Sequence, residues 1–220
     1  MTRLLTLVAA TIAVAQANNV LTGSLVAPAF AQAETPSSVA VSHDAYALVR
    51  AAQGQVGIVT VYDPAYVSLS FPLGDVAQDR GVCTDVLVRA LRVALGIDLQ
   101  AAVNADMKAD FSAYPSDWGL KRPDRNIDHR RVLNLRTLLS RVGAEVTDEY
   151  LPGDSVTSLL PGNLAHLVIV SDQMGRDGPM IVHNIGAGTQ QEDRLFEFEI
   201  TGHYRISAEV VEKLRALQGV

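Results

Sequence analysis

The stretch LPGDSVTSLLPGNLAHLVIVSDQMGRDGPMIVHNI, residues 151–185, decides the fold. It holds three β-like runs in succession, SVTSLL, HLVIVSD and PMIVHNI, separated by turns rich in Pro, Gly and Asp. A fourth run, RLFEFEITGHYRI, follows and alternates charged and apolar residues in part. The regular segments ahead of this block read as helices. Asp44 to Val56 sets Tyr46, Val49 and Arg50 at i, i+3 and i+4, and Gly54 and Gly57 end the run. CTDVLVRALRVAL, residues 83–95, is a helix that Gly96 stops. Residues 98–140 carry two helical patterns around the irregular YPSDWGLKRPDRNIDHR. Residues 58–72 read as irregular extended chain, GDVAQDRGV at 74–82 as a loop, and SAEVVEKLRALQGV as a final amphipathic helix. Helices first and strands second predicts an α+β fold, with N-terminal helices packed on a C-terminal antiparallel sheet.

The composition supports a packed core. The chain has 220 residues, of which 48% are hydrophobic and 19% charged, with a formal charge of −6. No basic stripe appears, which argues against a nucleic-acid partner held by neutralised phosphates. Aromatics are 5% of the residues, too few for a stacking platform. A single cysteine excludes an internal disulfide and a zinc ribbon.

The N-terminus reads MTRLLTLVAATIAVAQANNVLTGSLVAPAFAQAETPSS. Arg3 precedes an uncharged run from Leu4 to Ala15, and Ala31-Gln32-Ala33 forms an A-x-A cleavage pattern. The apolar run is about a dozen residues, short of the roughly 20 that span a bilayer. Residues 1–33 are therefore expected to be a signal peptide, 34–43 a leader and 44–220 one catalytic domain. The mature chain loses only Arg3 among charged groups, has no transmembrane helix, and is expected to be periplasmic or secreted.

Export puts Cys83 in an oxidising compartment, where a lone thiol is either buried and inert or reactive. Its place at a helix start favours thiolate, because that end carries positive partial charge. Arg80 and Gly81 add a cation and a flexible approach. Leu87, Ala90, Leu91 and Ala94 bury the stripe that Cys83 begins, leaving the thiol at the rim of the core. A base is then needed. If HLVIV and PMIVH form a hairpin with Gln173 to Arg176 as the loop, His166 lies opposite His183, with Cβ atoms about 5 Å apart. The two rings share a face with Val168 and Ile181, which predicts a Cys83–His166–His183 relay. A one-residue slip would offer Asn184 as the orienting group instead.

The order of these pieces resembles the NlpC-type cell-wall cysteine peptidases, through DRGVCTDVLVRAL, LPGDSVTSLL, HLVIVSD and IVHNIGAG. The finer wording is similar to a bacterial branch, the YijF-like proteins of unknown function. It rests on YDPAYVSL, GDVAQDRGVCTDV, NIDHRRVLNL, PGNLAHLVIVSD, HNIGAG and ITGHYR, which run through nearly all of the mature region. The usual D-C-S-G around the nucleophile is G-V-C-T here. The resemblance implies a papain-like α+β fold and amide hydrolysis in peptidoglycan peptides or another amide-containing envelope substrate. It implies Cys83 as nucleophile, His166 as base and His183 as orienting residue, with no cofactor. A tyrosine ahead of the cysteine helps in that superfamily, and either Tyr62 or Tyr66 meets the description. The backbone N–H of Cys83 is the expected first oxyanion donor.

Asp128-His129-Arg130-Arg131 is a dense polar cluster, read either as a solvated loop or cap, or as substrate positioning through arginine forks. Asp124, Asp128 and His129 lack a recognised metal-ligand spacing, so no metal is expected. Gly186-Ala187-Gly188 lacks the companions of a phosphate loop and is expected to shape the rim beside His183. His203 and Tyr204 are read as structural, and no GxSxG marks a serine hydrolase. The leading expectation is an exported cysteine amidase or endopeptidase. A thiol acyltransferase on the same fold and a non-catalytic binding or scaffold module are the alternatives.

Overall fold

The structure is a computed structural model and describes residues 41–219. The expected signal peptide and most of the expected leader lie outside the described residues. The chain order is α1 (His43–Gln53), β1 (Val61–Tyr62), β2 (Arg80–Gly81), α2 (Cys83–Leu95) and α3 (Leu99–Ala109). Then come α4 (Val132–Arg141), β3 (Ser155–Leu160), β4 (Leu164–Met174), β5 (Pro179–Asn184), β6 (Thr189–Glu192), β7 (Glu199–Tyr204) and α5 (Ala208–Gln218). This is the expected α+β order. No described helix is long and apolar enough to cross a membrane.

Local chemistry sets the helix ends. Ser42 caps α1, its hydroxyl accepting from the Ala45 N–H at 3.1 Å. Gly54 closes α1 earlier than the expected Val56. At α2 the cap residue is Val82, whose side chain cannot accept a hydrogen bond. Asp85, three residues on, supplies the acceptor, and its carboxylate takes the Val82 N–H at 2.7 Å. Gly96 ends α2 at φ 66°, the left-handed turn that a glycine adopts without a Cβ clash.

Strands β3 to β7 form one antiparallel sheet in the order β6-β5-β4-β3-β7. The short β1 and β2 pair in parallel as a separate two-stranded sheet, β2 lying just ahead of α2 in sequence. One sheet face carries the helices. There Leu167, Ile169 and Val182 join Cys83, Val86, Leu87, Leu91, Leu135 and Leu139 in the main core. The alternate residues Val156, Val168, Val170 and Ile181 form a smaller cluster on the other face, closed by Leu195.

Two strand expectations are corrected. The β4–β5 register pairs Ile169 with Val182 and Val170 with Ile181, two residues away from the expected alignment. An irregularity between Val170 and Met174 takes up the difference, and Gly175–Gly178 makes the turn. A two-residue shift preserves which side chains share a face, so His166 and His183 stay together on the face of Val168 and Ile181. The second correction concerns RLFEFE. Residues 193–198 form a turn, held by the Arg194–Glu197 ion pair with Leu195 tucked inward, and β7 starts only at Glu199. Strand β6, formed from TQQE, has no apolar alternation to announce it.

Candidate active site

Cys83 opens α2 and is 5% exposed. It lines a cavity of about 350 Å³ together with Tyr62, Trp118, Arg130, Leu164 and Ala165. The Leu167 N–H faces the sulfur, as do the N–H groups of Cys83 and Thr84 at the helix start. These donors favour thiolate, but burial outweighs them and the Asp85 carboxylate adds to it, so the thiol is pushed up to about 11. The expectation of a lowered thiol pKa is therefore corrected. Arg80 does not offset the burial, because it is engaged by Asp63 at 2.9 Å and Asp79 at 3.5 Å.

His166 and His183 do meet. His166 Nε2 and His183 Nδ1 are 2.9 Å apart, both rings are buried, and His183 Nε2 lies 2.8 Å from Glu192 Oε2. The proton positions follow from the end of this chain. A carboxylate only accepts, so His183 Nε2 carries the proton. A neutral His183 then accepts at Nδ1 from His166 Nε2–H, which leaves His166 Nδ1 as a bare lone pair. Burial holds His166 down to about 3, with the charges of His183 and Arg194 in the same direction. Burial also lowers His183, opposed by its bond to Glu192.

The structure does not bring Cys83 into this hydrogen-bonded chain, and the expected contact between thiol and imidazole is corrected. No hydrogen bond joins the sulfur to either ring. On β4, Leu167 and Ile169 face α2, whereas His166 alternates with them and shares the face of Val168. The nearest link is through the backbone, since the peptide N–H that faces the sulfur belongs to the residue after His166.

The other expected site residues divide clearly. Tyr62 lines the Cys83 cavity, and its pKa is raised by burial and then by the charges of Cys83 and Asp85. Tyr66 points elsewhere, donating to Asp124 at 3.1 Å and accepting from Asn126 at 2.9 Å. Asn184 is buried and donates to the Gly81 carbonyl at 3.0 Å, so it steadies the loop before Cys83 and orients no histidine.

Asp128, His129 and Arg130 are all buried, which corrects the solvated-loop reading, and of the three Arg130 lines the Cys83 cavity. Arg130 forks onto Asp85 at 3.0–3.2 Å and donates to the Asp63 and Ala65 carbonyls. It thereby clamps the Tyr62 loop to the start of α2. Asp128 accepts from the Asp124 N–H and from Arg131 at 3.0 Å. Burial lowers His129 to about 4.

Sequence reasoning missed Glu192 and Trp118. Glu192 sits in the polar TQQE run, where only the β5–β6 pairing brings it beneath His183. Trp118 stacks under Arg131, with the guanidinium carbon 4.2 Å from its ring centre, and walls the cavity.

Comparison with known proteins adds a family. Residues 49–206 match the family described as "Domain of unknown function (DUF1287)". The chain is also 50% identical over 165 residues to "Uncharacterized protein YijF" of Escherichia coli (strain K12), covering 72% of this chain and 80% of that protein. No solved structure matches it.

Proposed function

The chain belongs to the DUF1287 family, and from that premise we propose that it is an exported cysteine hydrolase of amide bonds in cell-wall peptides, with a papain-like arrangement of the NlpC type. One observation carries the reading: a helix-start cysteine lines a cavity one peptide unit from a Glu192–His183–His166 chain that ends in a bare ring nitrogen.

In this mechanism Cys83 Sγ attacks the substrate carbonyl and its proton passes to His166 Nδ1. The developing imidazolium is stabilised through His183 by Glu192. The Cys83 N–H and the Tyr62 hydroxyl donate to the oxyanion. His166 then protonates the leaving amine and activates the water that cleaves the thioester. Burial keeps thiol and imidazole neutral at rest, so the ion pair forms only as substrate enters. That step requires His166 Nδ1 to come within reach of the sulfur.

A second reading rests on the missing thiol–imidazole bond: a binding module of the envelope in which Cys83 is a small core residue. Incubation with purified peptidoglycan, followed by mass spectrometry of released fragments, separates the two. Hydrolysis should vanish in Cys83→Ala and fall about 100-fold in His166→Ala. Loss of about tenfold or more is expected in Tyr62→Phe. Fragment release that survives Cys83→Ala sinks the hydrolase reading, and binding without release supports the module. Transfer of the acyl group to an added amine would identify the acyltransferase variant.

A further inference from the structure

A second cleft, of about 820 Å³, is walled by Tyr66 and Phe71, by Asn104 and Lys108 on α3, and by residues 119–126. It shares no lining residue with the Cys83 cavity, although residues close in sequence, Pro64 and Tyr66 or Asn126 and Ile127, line one or the other. Its volume lies within the range of small-molecule sites.

The charge of this cleft runs against that of the chain. The protein is acidic overall and contains three lysines, Lys108, Lys121 and Lys213, of which the first two line the cleft with Arg122 and Arg125. Most arginines elsewhere are matched, Arg50 and Arg136 being exceptions without a carboxylate partner among the described residues. Arg80, Arg89, Arg92, Arg141, Arg194 and Arg205 each hold a carboxylate. None of the four cleft cations has a carboxylate within 4 Å among the described residues, and all four are exposed. The acid that lines the cleft, Asp124, is turned into its own loop. It accepts from the Tyr66 hydroxyl at 3.1 Å and from the Asn126 N–H at 3.0 Å.

Two further features suit a bound molecule. The Phe71 ring is within reach of two of the cations, its centroid 6.0 Å from Lys108 Nζ and 5.7 Å from Arg125 Cζ. It offers a flat apolar floor that also holds them in place. Asn104 is 5% exposed, lines the cleft, and makes no side-chain hydrogen bond among the described residues. Its side-chain oxygen and nitrogen are not among the fully buried unpartnered atoms, so the amide opens to the cleft and is free to bond a molecule there.

We infer that this cleft binds a small polyanion carrying two or more carboxylate or phosphate groups. Arginine forks and lysine ammonium groups answer both chemistries, and the Asn104 amide supplies one uncharged donor at the base. The inference stands apart from the Cys83 reading and holds whether or not that thiol is catalytic.

The test is calorimetric titration of the purified full chain with citrate and, separately, with pyrophosphate at matched low ionic strength. Saturable binding of citrate assigns carboxylate ligands, and binding of pyrophosphate assigns phosphate ligands. Each cleft variant, Lys121→Gln with Arg122→Gln or Arg125→Gln alone, should weaken binding about tenfold. Arg50→Gln, an exposed arginine outside the cleft, should leave it unchanged. All four side chains are exposed, so the variants should keep the far-ultraviolet spectrum of the parent. The inference fails if neither probe saturates below about 10 mM. It fails also if Arg50→Gln costs as much as the cleft variants, or if an oligonucleotide binds more tightly than both probes.

Discussion

Replacing Arg130 by Met tests how the candidate site is held together. Arg130 and Asp85 are a buried ion pair, with side chains 2% and 4% exposed and a closest approach of 3.0 Å. Met keeps the apolar stem and removes the charge, which leaves the Asp85 carboxylate buried with only the Val82 N–H as donor. Breaking such a pair from one side costs about 3–5 kcal/mol, because the remaining charge stays desolvated. A domain of this size loses roughly 2–4 °C of Tm per kcal/mol, so the midpoint should fall by about 10 °C. Asp85→Asn combined with Arg130→Met removes both charges yet keeps an oxygen for Val82, and should recover a large part of the loss. The pH dependence gives an independent check. An unpaired buried carboxyl takes up a proton more readily when folded than when unfolded, so folding then favours the protonated form. The deficit of Arg130→Met should therefore shrink as pH falls from 7 towards 5. Urea unfolding followed by circular dichroism measures all three. A loss below about 1 kcal/mol at pH 7, or a double variant no better than Arg130→Met, would refute the desolvated-pair account.

Three further outcomes follow from the same structure. With Cys83 held near 11, iodoacetamide labelling of the folded chain at pH 8 should run roughly 100-fold slower than for an ordinary thiol of pKa ~8.5, and labelling at the ordinary rate contradicts the burial argument. His129 and His166 stay neutral in the fold down to about 4 and about 3, whereas both charge near ~6.5 when unfolded. The unfolded chain then binds more protons below that pH, so stability should fall as pH drops from about 6.5 to 4, by roughly 2–3 kcal/mol per pH unit at its steepest. Equal urea midpoints at pH 7 and pH 5 would overturn this. Gly188→Ala should cost about 2 kcal/mol or more in the same assay, because φ is +82° and the new Cβ would sit 2.3 Å from the Val59 carbonyl oxygen. A neutral effect would show that the Val59 backbone yields there.

The helices and main strands were legible because their signals are local. The 83–95 helix begins at Cys83 and ends at Gly96 as read, since its apolar stripe and C-terminal glycine leave no competing structure. The runs SVTSLL and HLVIV became β3 and the middle of β4 through their apolar and β-branched content. What failed was set by tertiary contact. Strand β6 is polar because Gln191 bonds Gln53 and Gln173, and Glu192 bonds His183. RLFEFE alternates like a strand, yet an ion pair three residues apart and one inward leucine close it into a turn. The arginines at 130 and 131 carried no sign in the sequence that one would be buried against Asp85 and the other would stack on Trp118.

The candidate site shows the same division. Residue order led to the pairing of His166 with His183, and parity along the strands preserved it through a two-residue register error. Parity alone cannot tell which face of β4 looks at α2. In most antiparallel strands one face is polar and the choice is visible. Here Leu167 and Ile169 on one face and Val168 and Val170 on the other are all buried, so either assignment satisfies the hydrophobic pattern. The deciding contacts are distant ones: α2 packs over Leu167, Ile169 and Val182, while Leu195 closes the opposite face. His166 therefore pairs with His183 on the face of β4 opposite the α2 core, and the hydrolase reading stands or falls on whether its Nδ1 reaches the Cys83 sulfur when substrate enters.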